Sequence, residues 1–510
     1  MEGLALVVGA GPVGLTMAGE LARYGVHVRL IDKAEAPGDK SKALVVWSRT
    51  LELLNRTRWS QDLLAAGLEA HGGGLYAGGR RLARLPLDNV DSPHPYALMV
   101  PQDETERVLA GYARAGGVEV ERGVTLESFA QDEAGVSARL VHPDGRAETV
   151  RAQWLIGCDG AHSTVRHGLG LAFEGKTEPD DWMLADVMLD SATLVRGEPS
   201  IFLHQDGVLA LFPIGRLGRF RIIADMGAAS PNERRADPTL EDVQALVHRR
   251  GLPDARAHDP FWLSTFRINE RKVHEYGAGR VLLAGDAAHI HSPAGGQGMN
   301  TGMQDAFNLA WKLALVCRSG AGPSSPLIAS YSEERSAIGD QVLKMATGFT
   351  RVATLRNPVL QALRNKGIVL ADRLFHATRI IARNFSETDL NYSRSRLNRS
   401  GEGVSSRGLA PGMRVPGLWR GEGDQVTALF GTGAVPRFLL IHVKDGRLAT
   451  DLPQALAGLV ETVTLDDAER RHAVGEGDGL WLIRPDGYLV LHARAGDWAV
   501  LENWLAMVQR

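Results

Sequence analysis

The alternation of apolar and polar positions divides the N-terminal part of the chain into short strands and amphipathic helices. Residues 4–8 (LALVV) form a continuous apolar run that ends at glycine, as in a strand buried on both faces of a parallel sheet. Apolar residues then recur at helical spacing up to Gly25, and a second run, 26–31 (VHVRLI), precedes Asp32. The pattern predicts a β-α-β unit whose first turn is the segment GAGPVG.

This unit has the spacing of a dinucleotide-binding fingerprint. Gly9, Gly11 and Gly14 give the pattern G-x-G-x-x-G between strand and helix, and Asp32 ends the second strand. The glycines allow a tight turn and let a pyrophosphate approach the helix N-terminus, while the acid binds a ribose hydroxyl. A glycine-rich turn without a ligand is the alternative, and the pattern does not distinguish NAD from FAD.

Two later apolar runs also end in a glycine and an acid. The run 154–157 (WLIG) precedes Asp159 and Gly160, and the run 281–285 (VLLAG) precedes Asp286. Residues 202–226 contain three alternating or apolar runs separated by turn residues, which predicts an antiparallel meander. The segment after the last run, GDAAHIHSPAGGQGMN, has three glycines in four residues before a helical pattern begins. We therefore expect its main chain to lie against a flat or anionic ligand.

Composition and charge bear on location and partners. A chain of 510 residues predicts two or three domains, and a net charge of −3 gives no electrostatic case for nucleic acid or an anionic membrane. The two cysteines exclude a disulfide framework, and we find neither a convincing signal peptide nor the roughly 20 apolar residues of a membrane helix. A cytoplasmic location is therefore expected. His289 and His291 lack a third ligand, so no metal site is predicted.

The late glycine-rich segment carries a specific resemblance. Residues 285–314, GDAAHIHSPAGGQGMNTGMQDAFNLAWKLA, resemble the FAD-dependent aromatic hydroxylases, together with the first glycine turn and the central D-G motif. These are the single-component flavoprotein monooxygenases related to para-hydroxybenzoate hydroxylase and phenol hydroxylase. The segment SYSEERSAIG (330–339) is similar to the family's Y-x-x-E-R segment. The segments PGMRVPG (411–417) and RPDGYLV (484–490) recur in longer members with a C-terminal thioredoxin-like domain.

The resemblance implies an α/β fold with three parts. A Rossmann-like FAD-binding domain would carry an inserted antiparallel β-sheet substrate domain and be followed by a thioredoxin-like domain. The expected limits are 1–175 for the first part of the FAD-binding domain, with 76–97 contributing to the substrate domain, 176–277 for the substrate sheet, 278–400 for the last part of the FAD-binding domain and a helical region, and 411–510 for the thioredoxin-like domain. The last segment has no C-x-x-C, so we expect no thiol chemistry there.

Matching positions supply the expected FAD contacts and the residues beside the reacting centre. The resemblance assigns cofactor binding to Gly9, Gly11, Pro12, Val13, Gly14, Asp32, Lys33, Lys42, Arg49, Gln102, Val124, Asp159, Gly160, Asp286, Gly298, Met299 and Asn300, and catalytic positions to Pro293 and Gly296. The helix N-terminus near Met299 would stabilise the negative charge of the reduced flavin. Lys42 stands where family members commonly have arginine, and lysine lacks the guanidinium fork.

The reaction implied by the resemblance is the NAD(P)H-driven hydroxylation of a phenolic or polycyclic aromatic substrate. NADPH or NADH would reduce FAD, and the reduced flavin would react with O₂ to form a C4a-hydroperoxide that transfers one oxygen to the ring. Arg221, His204 and Tyr96 are candidates by residue type alone for binding the substrate hydroxyl. The alternatives are a flavin oxidase or dehydrogenase without oxygen transfer and a non-catalytic flavin-binding protein. The small aromatic substrate is the expected partner, for a monomer or a homodimer.

Overall fold

The computed structural model describes residues 4–38, 40–57, 59–215, 218–229, 235–404, 408–421, 425–449 and 452–509. The elements of the first third are β1 Leu4–Val8, α1 Pro12–Arg23, β2 His27–Asp32, β3 Val45–Val46, α2 Ser48–Leu54, α3 Trp59–Ala66, β4 Leu68–Ala70, β5 Gly72–Ala77, β6 Arg80–Pro86, β7 Ala97–Met99, α4 Gln102–Ala115, β8 Val120–Arg122, β9 Thr125–Gln131, β10 Val136–Val141, β11 Ala147–Ala152, β12 Trp154–Gly157 and α5 Thr164–Gly168.

The middle of the chain contains β13 Glu174–Asp190, β14 Ser200–His204, β15 Gly207–Ile214, β16 Arg219–Ala228, α6 Leu240–Arg250, β17 Arg256–Lys272, β18 Gly277–Ala278, β19 Val281–Leu283, β20 His289–Ile290, α7 Gly298–Ser319, α8 Pro326–Ala353, α9 Pro358–Phe375 and α10 Ala377–Phe385. The C-terminal part contains β21 Arg399–Ser400, β22 Trp419–Arg420, β23 Thr427–Ala428, β24 Phe438–Lys444, β25 Arg447–Leu448, β26 Val460–Thr462, α11 Asp467–Val474, β27 Gly479–Ile483, β28 Leu489–Ala493 and α12 Trp498–Val508.

A six-stranded sheet of order β18-β19-β12-β1-β2-β8 forms the centre of the N-terminal domain. The strands from β19 to β8 run parallel, and β18 is antiparallel to β19. Every residue of β1 is buried between its two neighbours, as its continuous apolar run requires. The predicted β-α-β unit is confirmed, and its helix α1 packs against α4 and α7.

The parallel arrangement brings the three predicted turns to one edge of this sheet. Strands β1, β12 and β19 are neighbours, and their carboxyl ends are followed by Gly9, Asp159 and Asp286 respectively. Ligands of open α/β sheets bind outside the carboxyl ends of the strands. The fold therefore places the candidate cofactor site at this edge.

An eight-stranded sheet of order β20-β17-β13-β16-β15-β14-β5-β6 forms the second layer. The predicted meander is confirmed as β14, β15 and β16, which pair antiparallel. Because side chains alternate along a strand, β15 buries Leu209 and Leu211 in the core beneath α6. Its alternate residues Phe212 and Ile214 pack on the other side with Val45 of β3. This second face therefore lies towards the N-terminal domain.

The C-terminal domain has the strand order of a thioredoxin-like fold. Strand β24 pairs in parallel with β26 and antiparallel with β27, and β27 pairs antiparallel with β28. The four strands therefore lie in the order β26-β24-β27-β28, with α11 before β27 and α12 at the end. The fold class expected from the sequence is confirmed. Within the described residues, no helix is long and apolar enough to cross a membrane.

Candidate active site

The turn after β1 leaves space where a phosphate group would bind. Gly9 has φ +99°, and a Cβ at Gly9 would overlap the carbonyl oxygen of Cys158. A Cβ at Gly14 would overlap the carbonyl oxygen of Gly9, so α1 can approach the turn only with glycine there. A Cβ at Gly11 would meet nothing within 4 Å. Helix α1 starts at Pro12 with no acid in its first turn, so its free amides point to an open space suited to an anion.

Asp32 closes the far side of this turn. Its carboxylate accepts hydrogen bonds from the backbone N–H groups of Ala10 (2.6 Å) and Ala34 (2.8 Å). The N–H of Val124 donates to the carbonyl oxygen of Asp32 (3.0 Å). Because this N–H is engaged, a backbone contact from Val124 to a ligand would use its carbonyl group. Lys33 is exposed directly beyond Asp32, and Val13 is half-buried on α1. The structure therefore brings the predicted pyrophosphate, ribose and adenine positions together.

The central D-G turn braces a helix and leaves a glycine open. The carboxylate of Asp159 accepts hydrogen bonds from the hydroxyl of Ser163 (2.6 Å) and the N–H of Val165 (3.2 Å), at the start of α5. Gly160 has φ +78°, and a Cβ there would meet nothing within 4 Å. Asp159 thus shapes the turn, and the main chain of Gly160 is accessible at the sheet edge.

Asp286 is exposed at the same edge, in a short 3-10 turn after β19. Desolvation by the surrounding protein raises the pKa of its carboxyl group, and the electrostatic effect of the His289 and Lys42 side chains opposes that rise. Lys42 is exposed and close enough to Asp286 for its charge to act on that carboxyl group. The N–H of Gly285 donates to the carboxylate of Asp305 (2.9 Å), which ties the turn to α7.

A buried network supports the Asp286 turn from behind. Asp305 also binds the Nε2 atom of His289 (2.9 Å) and the Nε atom of Arg335 (2.6 Å). The hydroxyl of Tyr331 donates to the carbonyl oxygen of Leu283, the last residue of β19 (2.7 Å). Tyr331 and Arg335 belong to the Y-x-x-E-R segment, so the structure shows what the sequence pattern alone did not: this segment positions the late G-D turn.

The glycine loop before α7 adopts a left-handed backbone. Gly295 has φ +90° and Gly296 has φ +62°, and the N–H of Gly296 donates to the carbonyl oxygen of Pro293 (3.0 Å). The indole N–H of Trp47 donates to the carbonyl oxygen of Gly295 (2.9 Å). A Cβ at Gly296 would lie 3.2 Å from the Cβ of Val45, so this glycine is needed for close packing as well as for its φ.

Helix α7 begins at Gly298, next to the predicted start at Met299. No acid lies in its first turn, and no side chain within the described residues caps it, so its first amides are available to a ligand. The side chain of Asn300 is fully engaged: Oδ1 accepts from the N–H of Trp47 (2.8 Å), and Nδ2 donates to the carbonyl oxygens of Val45 (2.8 Å) and Gly296 (2.9 Å). A contact between Asn300 and the cofactor would therefore use the backbone of Asn300 and not its side-chain amide.

The side chains of two expected cofactor residues form hydrogen bonds within the protein. The guanidinium of Arg49 is buried, pairs with Glu52 (2.8 Å) and donates to the carbonyl oxygen of Asp486 (2.5 Å) in the C-terminal domain. Both Nη atoms of Arg49 are therefore engaged within the protein, whereas its Nε atom is buried without a hydrogen-bond partner among the described residues, and the FAD contact of Arg49 stays a prediction. Gln102 accepts from the N–H of Ala43 (2.9 Å) and donates to Glu106 (2.8 Å), so its side chain holds the segment that carries Lys42.

The three candidates for binding a substrate hydroxyl have structural partners. Arg221 pairs with Asp186 (2.8 Å) and donates to the carbonyl oxygen of Lys42 (2.9 Å), so it anchors the Lys42 segment. Tyr96 bonds to the Nδ1 atom of His94 (2.8 Å). His204 lies 3.6 Å from the carboxylate of Asp206.

A buried apolar cluster lies beside the glycine loop, and sequence reasoning missed it. Its members come from β3, β15 and α10 and the segments around them, and they include Val45, Trp47, Phe212, Ala382 and Phe385. The rings of Trp47 and Phe385 stack with centroids 5.9 Å apart and an interplanar angle of 21°. No local pattern in the sequence joins residues so distant along the chain.

These residues fit FAD. The open space at Gly11 and the free first-turn amides of α1 suit a pyrophosphate, and the uncapped N-terminus of α7 suits the anionic edge of a reduced flavin. His291 adds no charge there, because burial lowers its pKa to about 4. The described residues contain no group of three or more His, Cys, Asp or Glu that could hold a metal ion.

Family models match almost the whole chain. Residues 4–346 match the family described as "FAD binding domain", and residues 409–508 match "Aromatic-ring hydroxylase, C-terminal". The chain is 37% identical over 520 residues to 6-methylpretetramide 4-monooxygenase of Streptomyces rimosus, covering 95% of this chain and 89% of that one. It is 34% identical over 494 residues to 12-dehydrotetracycline 5-monooxygenase/anhydrotetracycline 6-monooxygenase of Streptomyces rimosus, covering 95% and 94%.

Solved structures agree over the full length. The anhydrotetracycline hydroxylase of Streptomyces rimosus is similar with a TM-score of 0.77 at 30% identity, over 99% of both chains. An aromatic hydroxylase from angucycline biosynthesis gives a TM-score of 0.76 at 29% identity, also over 99% of both chains. With the site geometry and the two matched families, these findings show that the chain is an enzyme of the FAD-dependent aromatic-ring hydroxylase family, the flavoprotein monooxygenases that use FAD, NAD(P)H and O₂.

Proposed function

We propose that this enzyme hydroxylates a fused polycyclic phenol bound against the apolar cluster beside the glycine loop. The observation that carries the proposal is the apolar cluster, in which the rings of Trp47 and Phe385 stack on each other, because an apolar aromatic surface suits a fused ring system. The relatives named for 6-methylpretetramide and anhydrotetracycline support a substrate of several fused rings.

The expected cofactor contacts form the second part of the proposal. The first-turn amides of α1 bind the pyrophosphate, Asp32 binds the ribose, and Asp286 binds the ribityl chain. The first-turn amides of α7 hold the pyrimidine edge of the flavin ring, where a helix N-terminus stabilises negative charge. FAD, when bound, accepts a hydride from NADPH or NADH and activates O₂ for transfer of one oxygen atom to the substrate.

The protein's own task is to position the ring and exclude water. Pro293 and Gly296 border the reacting centre, and the left-handed glycine loop lets main chain approach where a side chain would intrude. The apolar cluster keeps the centre dry, so that oxygen transfer competes with release of peroxide. The domain limits expected from the sequence stay predictions.

The test is a substrate panel of one-ring and four-ring phenols with FAD-loaded enzyme, NADPH or NADH and ¹⁸O₂. We expect product that gains one ¹⁸O atom, with a lower KM for the larger phenols. Peroxide formation without label in any product would identify an oxidase, and the absence of NAD(P)H consumption would indicate a flavin-binding protein. Trp47→Leu should raise KM for the four-ring phenol, whereas Trp419→Leu in the C-terminal domain should not.

We also propose a cytoplasmic location and a homodimer. The use of NAD(P)H and the free thiols of Cys158 and Cys317 support the location. An exposed apolar surface on α9 supports the homodimer.

A further inference from the structure

Exposed apolar side chains concentrate on one short part of the chain. Eight of the eleven large hydrophobic residues exposed in the described structure lie between residues 352 and 380: Val352, Val359, Leu360, Leu363, Leu370, Leu374, Phe375 and Ile380. Six of them are on α9, in which only Gln361 is buried. Contiguous apolar surface of this kind marks an interaction site in a folded protein.

The spacing of these residues is that of a helix-pairing seam. Leu360, Leu363, Gly367, Leu370 and Leu374 follow one another at intervals of three, four, three and four residues. This is the a/d pattern of two heptads, which places the five positions on one stripe of the helix. The leucines of the stripe are 48% to 61% exposed, so the described chain leaves about half of their surface uncovered.

The seam is nearly symmetric about Gly367. Leu360 and Leu374 lie seven residues to either side, and Leu363 and Leu370 lie four and three residues away. A Cβ at Gly367 would meet nothing within 4 Å, so another helix backbone can come close at this point. Two copies of α9 that cross antiparallel at Gly367 would pack Leu360 against Leu374 of the partner and Leu363 against Leu370 of the partner.

We propose that this stripe, the α9 seam, is a two-fold interface with a second copy of the chain. A large apolar side chain carries on the order of 100 Å² of apolar surface, from its transfer free energy of about 2–3 kcal/mol at about 25 cal/mol per Å². The four leucines of the seam, each about half to two-thirds exposed, offer on the order of 200 Å² per copy, and the other four exposed apolar side chains of this part of the chain bring the total to on the order of 500 Å². With the polar residues around them, this approaches the roughly 800 Å² per partner of a stable interface.

The charges around the seam distinguish a second copy of the chain from the main alternative partner, an anionic membrane or an acidic protein. Lys366 and Arg373 are exposed along the seam, and the one acid of α9, Asp372, bonds to Thr378 (3.4 Å between its Oδ1 and the backbone N). Two copies would bring these cations near one another at the rim, so salt should strengthen the dimer by screening. An anionic membrane or an acidic protein would instead bind more weakly as salt rises.

The interface would also support the active site. Helix α10 follows α9 directly after His376, a residue with φ +50°, and α10 supplies Ala382 and Phe385 to the apolar cluster. Both helices pack on β6. A partner on α9 would therefore hold α10 in place over the cluster. This consequence rests on the proposed substrate site, whereas the interface itself does not.

The experiment measures the mass of the full-length, FAD-loaded protein by sedimentation velocity at 50 mM and 500 mM salt. We expect a dimer whose Kd falls at the higher salt. Leu363→Asp or Leu370→Asp should raise the Kd by about 100-fold or more, because each substitution buries two carboxylates per dimer. Val195→Asp, at an exposed apolar site outside the seam, should leave the Kd unchanged.

Cross-linking tests the geometry. Under oxidising conditions, Leu360→Cys mixed with Leu374→Cys should form a disulfide-linked heterodimer, and Leu360→Cys alone should not. A monomer at every salt concentration, or a dimer that the two aspartate variants leave intact, would overturn the proposal. A monomer that sediments with phosphatidylglycerol vesicles at low salt only would assign the surface to an anionic membrane instead. In each case FAD content and turnover report separately on the proposed function.

Discussion

The side chain of Asn300 joins α7 to β3 through the backbone of Trp47. Its Oδ1 atom accepts the Trp47 N–H at 2.8 Å, and its Nδ2 atom donates to the carbonyl oxygens of Val45 and Gly296 at 2.8 and 2.9 Å. The Asn300 side chain and the Val45 and Trp47 groups that it bonds are buried, so each of these groups would cost about 1–3 kcal/mol if it were left unpaired. One amide therefore holds together the glycine loop, the apolar cluster and the helix N-terminus at the proposed flavin site.

Asn300→Asp should loosen this junction. A carboxylate accepts the Trp47 N–H but cannot donate to the two carbonyl oxygens, which would then face negative charge. We expect a loss of about 2–4 kcal/mol of stability and an FAD Kd raised about tenfold or more, measured by thermal unfolding and by flavin fluorescence. The exposed Asn391→Asp serves as the control. Unchanged FAD affinity in the Asn300 variant would show that this junction does not shape the site.

Asp286→Ala should weaken FAD retention. The exposed carboxylate at the sheet edge loses its expected ligand contact, and a hydrogen bond to a charged group contributes about 1.5–3 kcal/mol. We therefore expect the FAD Kd to rise about 10- to 100-fold, with secondary structure retained. Asp62→Ala on α3 removes an exposed carboxylate elsewhere and should leave the FAD Kd unchanged. Full FAD content with unaltered affinity in Asp286→Ala would reject the assignment of the late G-D turn.

Gly296→Val and Gly320→Val form a matched pair. Both glycines have positive φ, +62° and +71°, so both substitutions carry a backbone cost of about 1–3 kcal/mol. A Cβ at Gly296 would also lie 3.2 Å from Val45, whereas one at Gly320 would meet nothing within 4 Å. We expect only Gly296→Val to divert NAD(P)H oxidation towards peroxide, measured as peroxide formed per NAD(P)H consumed. If both variants form the same amount of peroxide per NAD(P)H consumed, the glycine loop does not border the reacting centre.

Arg484→Met should destabilise the contact between the N-terminal and C-terminal domains. Arg484 pairs with Glu334 of α8 (2.8 Å) and with Asp486 (2.6 Å), and all three are buried. Removal of Arg484 leaves the buried carboxylate of Asp486 without its cation and Glu334 with Lys312 alone (2.7 Å), and breaking a buried ion pair costs about 3–5 kcal/mol. Urea unfolding should show this loss, and Arg494→Met, on the surface of the same domain, should not. An unchanged urea midpoint for Arg484→Met would mean that the buried ion pairs of Arg484 do not stabilise the protein.

Glu387→Gln should raise stability at pH 8. Burial raises the pKa of Glu387 from 4.5 to about 8, although Arg335 acts against this rise. Between pH 4.5 and about pH 8, Glu387 keeps its proton in the folded protein but releases it in the unfolded chain. The free energy of unfolding therefore falls as the pH rises through this range. A glutamine side chain has no such proton to lose. The melting temperature of the Glu387→Gln variant should therefore exceed that of the wild type most clearly at pH 8. Glu402→Gln, at an exposed site, should follow the wild-type curve.

The sequence by itself determined the parts of this protein that depend on neighbouring residues. The turn from Gly9 to Gly14, the meander of β14 to β16 and the start of α7 follow from short-range spacing, because strands, turns and helix N-termini form within about ten to thirty residues. The resemblance of residues 285–314 to known hydroxylases supplied the fold class and the cofactor, which the family matches then confirmed. The individual cofactor contacts stay predictions.

Only the tertiary structure decided which partner each polar side chain has. Asn300 and Trp47 are 253 residues apart, and Arg49 reaches a carbonyl group 437 residues away, so no local pattern relates them. The family resemblance predicts that Arg49 contacts the cofactor, but only the docking of the C-terminal domain shows that its guanidinium also bonds to the carbonyl oxygen of Asp486. The apolar cluster and the α9 seam are likewise products of packing: burial depends on what the rest of the chain covers, and that is settled only when all the layers are assembled.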